Sequence, residues 1–202
     1  MDPTSLAAPA NVAVVVLAGG EGSRIGGNKP IRRLAGERLI DRALRAARTW
    51  SNEVAVAVRD PRQLEDVDAQ IITDEPLIAG PLAGLASALR FGARSGREFV
   101  LTIPADSPFL PVDLLDRLLD AVAKSNCAMA SSNGRLHPVC ALWRTSARSV
   151  LQDYLASDRR SLKAFAAEVG FCEVQWGSEP VDPFFNINTK SELLRAEELA
   201  DS

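Results

Sequence analysis

Three cysteines and a single histidine in 202 residues leave little room for thiol or imidazole chemistry. Cys127, Cys140 and Cys172 are an odd number, widely spaced and without a CxxC pair, which argues against a disulfide framework and against a zinc site. Two of them sit in apolar runs and read as buried free thiols of a protein kept in a reducing cytoplasm. The lone histidine, His137, belongs by its isolation to structure or to a substrate contact. No apolar run is long enough to cross a bilayer, and the start MDPTSLAAPA lacks the basic region and apolar core of a secretory signal. A positive excess is also missing. The 23 Lys and Arg against 26 Asp and Glu give a net charge of −3, which excludes a general nucleic-acid binder, whose surface must neutralise phosphates. There is no internal repeat, low-complexity tract or long linker. The expectation is therefore a loose extension over 1–11 followed by one soluble domain over 12–202, cytoplasmic, with a sizeable core.

What is present alternates between strand and helix signals, the pattern of an α/β fold with a mostly parallel sheet. Val12–Leu17 is continuously apolar and β-branched, as a strand buried on both faces requires. Leu39, Ile40, Ala43, Leu44 and Ala47 mark one face of a helix over 38–50. Strands are predicted at 54–58, 70–72, 98–103, 127–130, 139–143 and 171–175. Further helices are predicted at 81–94, 111–124, 146–156, 161–169 and 191–199, two of them led by a proline that needs no N–H partner there.

The first strand ends abruptly in AGGEGSRIGGNK, residues 18–29. Glycines at 19, 20, 22, 26 and 27 let backbone N–H groups crowd a ligand, and Arg24 and Lys29 add charge, so the loop is a trap for a polyanion. It is neither a Walker A loop nor a GxGxxG turn entering a helix. Its place at the carboxyl end of a strand is where open α/β sheets hold ligands. Asp74 and Asp106 also follow strands and would project at the same edge. Taken alone, each reads better as a helix cap. Beside a cationic loop, Asp106, stiffened between Pro104 and Pro108, suits a Mg²⁺ ion on a triphosphate, and Asp74 suits a sugar or base contact. GPLAGL at 80–85 brings Gly80 and further backbone close enough for a planar base or ribose.

Together these segments resemble the molybdenum cofactor guanylyltransferases. LAGGEGSRIGGNK (17–29), ITDEPLIAGPLAGL (72–85), IPADSPF (103–109), RLHPVCALW (135–143) and FFNINTKSEL (184–193) stand in that family's order over nearly the whole chain. The sequence departs from the family pattern at Asn28, where Asp is usual, at Ala105, where Cys is common, and at Ile25, where Met is usual. The resemblance implies a Rossmann-like three-layer sandwich of the nucleotidyltransferase type. It implies transfer of GMP from GTP to the terminal phosphate of molybdenum-molybdopterin, with Mg²⁺ on Asp106. Leu17, Ala18 and Gly19 would line the guanine and ribose pocket, Gly20 and Gly80 would add to the GTP site, Asp74 would contact the nucleoside, and Lys29 the phosphates. Arg24 and Lys29 would hold the leaving pyrophosphate.

On the pterin side the resemblance points to His137, Asn186 and Asn188, and Arg160 of a basic cluster is a further candidate. Asn186 and Asn188, two positions apart, face one side of an extended segment and would suit a pterin edge, though a turn-stabilising pair reads equally well. Arg159, Arg160 and Lys163 form a basic cluster, read either as a solvated face or as an anion contact. The family leaves room for the molybdenum-inserting protein and acceptor molybdoenzymes as partners, and for neither nucleic acid nor membrane. Two rivals stand beside this reading. One is a cytidylyl- or sugar-phosphate nucleotidyltransferase, in whose cytidylyl members LAAG usually replaces LAGG. The other is a non-catalytic adaptor that delivers nucleotide or cofactor.

Overall fold

The computed structural model describes residues 11–19, 32–64, 66–75, 78 and 80–200. Of the expected extension over 1–11, only Asn11 lies among them; its side-chain amide donates to Glu98 at 2.7 Å and accepts from the Glu98 N–H at 2.9 Å. In chain order the elements are β1 (Val12–Leu17), a small hairpin of β2 (Arg33–Leu34) and β3 (Glu37–Arg38), α1 (Leu39–Trp50), β4 (Val54–Val58), β5 (Gln70–Thr73), α2 (Pro81–Arg94), β6 (Phe99–Pro104) and α3 (Leu114–Ala121). There follow β7 (Cys127–Ser132), β8 (Arg135–Arg144), α4 (Ala147–Ala156), α5 (Leu162–Val169), β9 (Phe171–Trp176) and α6 (Lys190–Ala200).

The large sheet has the order β5-β4-β1-β6-β8-β7-β9. β1 lies between β4 and β6 and runs parallel to both. Only β8 runs against its neighbours, pairing antiparallel with β6 and β7, while β9 returns parallel to β7. Alternation along β1 divides the core. Val12, Val14 and Val16 pack with α1 and α3, whereas Ala13 and Val15 pack with α2, α4 and α5. Both faces are covered, which is why this strand is apolar throughout rather than at every second position. The result is the expected three-layer α/β sandwich.

Three local features differ from the sequence expectation. The helix expected over 111–124 is α3 alone, entered by a turn in which Leu114 N–H bonds to Pro111 O and followed by a 3₁₀ turn at Val122–Lys124. The strands expected at 127–130 and 139–143 extend toward each other as a hairpin whose two turn residues, Asn133 and Gly134, have φ of 52° and 69°. An Asn-Gly pair accepts those angles cheaply and matches the twist of the flanking strands. Pro138 falls where the β7–β8 register shifts, so its missing N–H costs no ladder bond. The β2–β3 hairpin was not expected at all; two residues per strand leave no periodicity to read.

Leu34 of β2 and Leu39 of α1 form a separate small core with Ile187 and Ala196, packed by Phe109, Phe185 and Leu193. This cluster seats the segment between β9 and α6 against the rest of the molecule.

Candidate active site

Because β5, β4, β1 and β6 are adjacent and parallel, their carboxyl ends form one edge, and a cleft of about 320 Å³ opens there. That volume lies at the lower end of the range for small-molecule sites. Leu17, Ala18 and Gly19 enter it from β1, Arg59 from β4, Asp74 from β5 and Asp106 from β6. Gly80 and Gly84 add the start of α2.

The backbone is held taut up to the ligand edge. Ala18 N–H donates to Ala57 O at 2.8 Å, Ala105 N–H to Leu17 O at 3.2 Å, and Asp74 N–H to Val58 O at 2.8 Å. The sheet ladder therefore continues past the last formal strand residues and fixes where the side chains begin. Gly19 has no space for a side chain: a Cβ there would sit 2.3 Å from Asp74 Oδ2 and 3.4 Å from Arg59 N. Gly80, the residue before α2, has φ of 71° and ψ of −160°, a backbone conformation that only glycine adopts readily.

Asp74 is half-buried in this wall. Its Oδ1 is buried without a hydrogen-bond partner among the described residues, and burial pushes the carboxyl above the usual carboxylate range, with the charge of Arg59 opposing the shift. A buried acceptor left unpaired by the protein is a place for a ligand donor. The sign of the stability effect follows. A carboxyl with a raised folded pKa costs stability once it ionises, so its contribution is best at low pH and declines as pH rises through the folded value. Asp74→Asn is accordingly expected to raise the melting temperature slightly at neutral pH, as removal of a functional group held at a cost to stability does. The same change is expected to weaken nucleotide binding about tenfold through loss of a buried, charged acceptor. Thermal melting and a nucleotide titration on one preparation check both signs.

Asp106 stands just beyond Pro104, in a turn tied into the sheet through Ala105. Its carbonyl accepts from Ile187 N–H at 3.0 Å, and the neighbouring Ser107 hydroxyl donates to Asn186 Oδ1. Asn186 thereby joins the cleft lining. Among the described residues, no three His, Cys, Asp or Glu side chains gather as a metal cage. One carboxylate facing an open cleft fits a hard ion that takes most of its ligands from water and phosphate oxygens.

The structure brings together Leu17, Ala18, Gly19, Asp74, Gly80, Asp106 and Asn186 of the expected site. Gly20, Arg24 and Lys29 lie outside the described residues, as does Asn28. His137, Asn188 and Arg160 are not in the cleft lining. His137 stacks on Phe184 with ring centroids 4.6 Å apart, the Asn188 N–H donates to Glu192 at 2.7 Å, and Arg160 pairs with Asp158 at 2.8 Å. Arg59 and Val139 line the cleft without having been anticipated. For Arg59 the signal was present, since it follows a strand as Asp74 and Asp106 do.

A mostly parallel sheet with glycine backbone and two carboxylates at one strand edge defines a nucleotide-handling α/β enzyme of the nucleotidyltransferase type. The comparisons narrow the class. The model of the MobA-like NTP transferase domain matches residues 14–170, and the chain belongs to that family. It is 38% identical to a molybdenum cofactor guanylyltransferase of Rhodopseudomonas palustris (strain HaA2), over 97% of this chain and 95% of that protein. Among solved structures it superposes on molybdopterin-guanine dinucleotide biosynthesis protein A from Archaeoglobus fulgidus with a TM-score of 0.76 and 26% identity, covering 94% of this chain and 98% of that one. A 4-diphosphocytidyl-2C-methyl-D-erythritol synthase from Anaerococcus prevotii superposes with a TM-score of 0.73 at 14% identity, covering 95% and 96%, and shares the fold alone. The protein is a nucleotidyltransferase, of a class that works with a divalent metal. None of its described helices is long and apolar enough to cross a membrane.

Proposed function

We propose that this enzyme transfers GMP from GTP to the terminal phosphate of molybdenum-molybdopterin. A phosphate oxygen of the acceptor forms a bond to the α-phosphorus of GTP, the α–β phosphoanhydride bond breaks, and pyrophosphate leaves with the electron pair. The attacking oxygen is already ionised, so no protein nucleophile or general base is needed, and catalysis reduces to positioning and charge stabilisation. The observation that carries the reading is the convergence of Leu17–Gly19, Asp74 and Asp106 on one cleft at the carboxyl ends of adjacent parallel strands. Family membership adds to it.

In this reading the backbone of Leu17, Ala18 and Gly19, with Gly80, lies against guanine and ribose, and Asp74 accepts a hydrogen bond from the nucleoside. Gly20, Arg24 and Lys29 hold the triphosphate and the departing pyrophosphate. Asp106 holds Mg²⁺, which when bound neutralises charge developing on the phosphates. Asn186 and Asn188, with His137 and Arg160, belong to the acceptor side. The protein partners are those of the cofactor's path, a molybdenum-inserting protein and acceptor molybdoenzymes, and the setting is cytoplasmic. The domain runs from Val12 to the end of the chain.

Purified protein with Mg²⁺, molybdenum-molybdopterin and GTP, CTP or UTP in turn decides the matter. Pyrophosphate release is expected with GTP and at most a hundredth as fast with CTP or UTP, as expected when a site built to pair buried polar groups meets the wrong base. Equal rates with CTP would overturn the guanine assignment. Nucleotide binding without pyrophosphate release would establish the adaptor reading instead.

A further inference from the structure

A strap of chain from Asp182 to Asn188 joins β9 to α6 and touches the Asp106 turn twice, through Ile187 N–H to the Asp106 carbonyl and through the Ser107 hydroxyl to Asn186. Ile187 is fully buried. The far end of the strap is held by a polar relay. Asp182 Oδ1 accepts from Phe184 N–H at 2.9 Å and from the Ser132 hydroxyl at 2.8 Å, and the Asp182 carbonyl accepts from Phe185 N–H at 3.1 Å. Ser132, fully buried at the end of β7, also lies 2.8 Å from His137 Nε2.

The direction of every bond follows from the inventory of protons. A carboxylate only accepts, so the single hydroxyl proton of Ser132 goes to Asp182. Ser132 can then only accept from His137, which requires the Nε2–H tautomer. Burial pushes the imidazole below its ordinary pKa, consistent with a neutral ring, and the face of that ring stacks on Phe184. At the near end the same reasoning applies to Asn186. Its Oδ1 accepts from the Ser107 hydroxyl, which fixes the amide's orientation, and its N–H₂ supplies two donors at a residue that lines the cleft.

We propose that Asp182, backed by Ser132 and His137, is a positioning residue that fixes the strap so that Asn186, oriented by Ser107, offers its amide N–H donors to an anionic phosphate oxygen of the acceptor. The inference rests on the transfer reaction proposed above. It assigns to His137 a role behind the site.

Asp182→Ala and Asp182→Asn separate this role from simple stabilisation. Asparagine keeps an oxygen that can accept from Ser132 and Phe184, whereas alanine removes it. With Asp182→Ala the KM for the molybdopterin acceptor is expected to rise about tenfold while the KM for GTP moves less than about twofold, and Asp182→Asn is expected to restore both to within about threefold of wild type. Because the chain has one histidine, long-range ¹H–¹⁵N spectra give a single imidazole pattern. The Nε2–H tautomer is expected in ligand-free wild type and in Asp182→Asn, and its loss in Asp182→Ala, with melting curves confirming that each variant is folded. Parallel rises in both KM values, an Asp182→Asn enzyme as impaired as Asp182→Ala, or an Nδ1–H tautomer in wild type would each overturn the proposal. The two failures are distinguishable. A wild type that transfers no GMP overturns the functional reading, whereas an active wild type matched by an unaltered Asp182→Ala overturns the positioning role.

Discussion

Asp106→Ala is expected to lower GMP transfer roughly a thousandfold, the scale on which a preorganised electrostatic partner of the transition state acts. The backbone around it carries the structural work: Ala105 N–H is bonded to Leu17 O and the Asp106 carbonyl to Ile187 N–H, and neither bond uses the carboxylate. The variant should therefore melt within about 1 kcal/mol of wild type, as substitutions away from packed cores do. Asp106→Asn keeps the shape and one oxygen but loses the charge, and it should recover little of the rate, since an ion on a triphosphate needs the anion rather than the amide. Pyrophosphate release as a function of Mg²⁺ concentration measures the effect. Substantial Mg²⁺-dependent turnover in Asp106→Ala would remove the metal-binding role.

Gly19→Ala is expected to weaken GTP binding about a hundredfold, in keeping with what small misplacements at a reacting or binding centre cost. The added methyl would sit 2.3 Å from Asp74 Oδ2, so one of the two must move. The other close approach, 3.4 Å to Arg59 N, is to backbone, so the Asp74 carboxylate, the end of a side chain, is the group that yields. The methyl thus acts by displacing the carboxylate from its place in the cleft. A double-mutant cycle tests that route: if the damage passes through Asp74, then Gly19→Ala combined with Asp74→Ala should bind GTP no more weakly than Asp74→Ala alone. Additive losses would show that Gly19 matters for the backbone's approach to the nucleoside and not for the carboxylate.

The parts of the fold legible in the amino-acid order are those whose signal is local. β1 announces itself as six apolar residues, α1 by its repeating Leu, Ile and Ala, and α2 by a leading proline. The Asn133–Gly134 turn was equally local and its chemistry was readable, but the proline in one of its flanking strands obscured it. The direction of β8 was not readable. Nothing in a strand's own composition says whether its neighbours run with it or against it.

The candidate site divides along the same line. Asp74 and Asp106 could be singled out because each ends a strand, and parallel strands bring such ends to one edge. Asn186 and Asn188 share a spacing but not a fate: one is drawn to the cleft by Ser107, the other sits at the entrance to α6. His137 could be read only as structural or as a substrate contact; Ser132 and Asp182, 5 and 45 residues distant along the chain, stand with it in one relay.

From residue order alone came the larger elements, the layered class, the family and the two carboxylates, because periodicity, turn chemistry and motif order are written in consecutive residues. Only the tertiary structure decided that Asp74 Oδ1 has no hydrogen-bond partner among the described residues while Oδ2 lies against Gly19, that Arg59 shares the cleft, and that the Asp182–Asn188 strap is tied to the Asp106 turn. Those facts depend on contacts between segments far apart in the chain, and such contacts are set by packing, which no local pattern encodes.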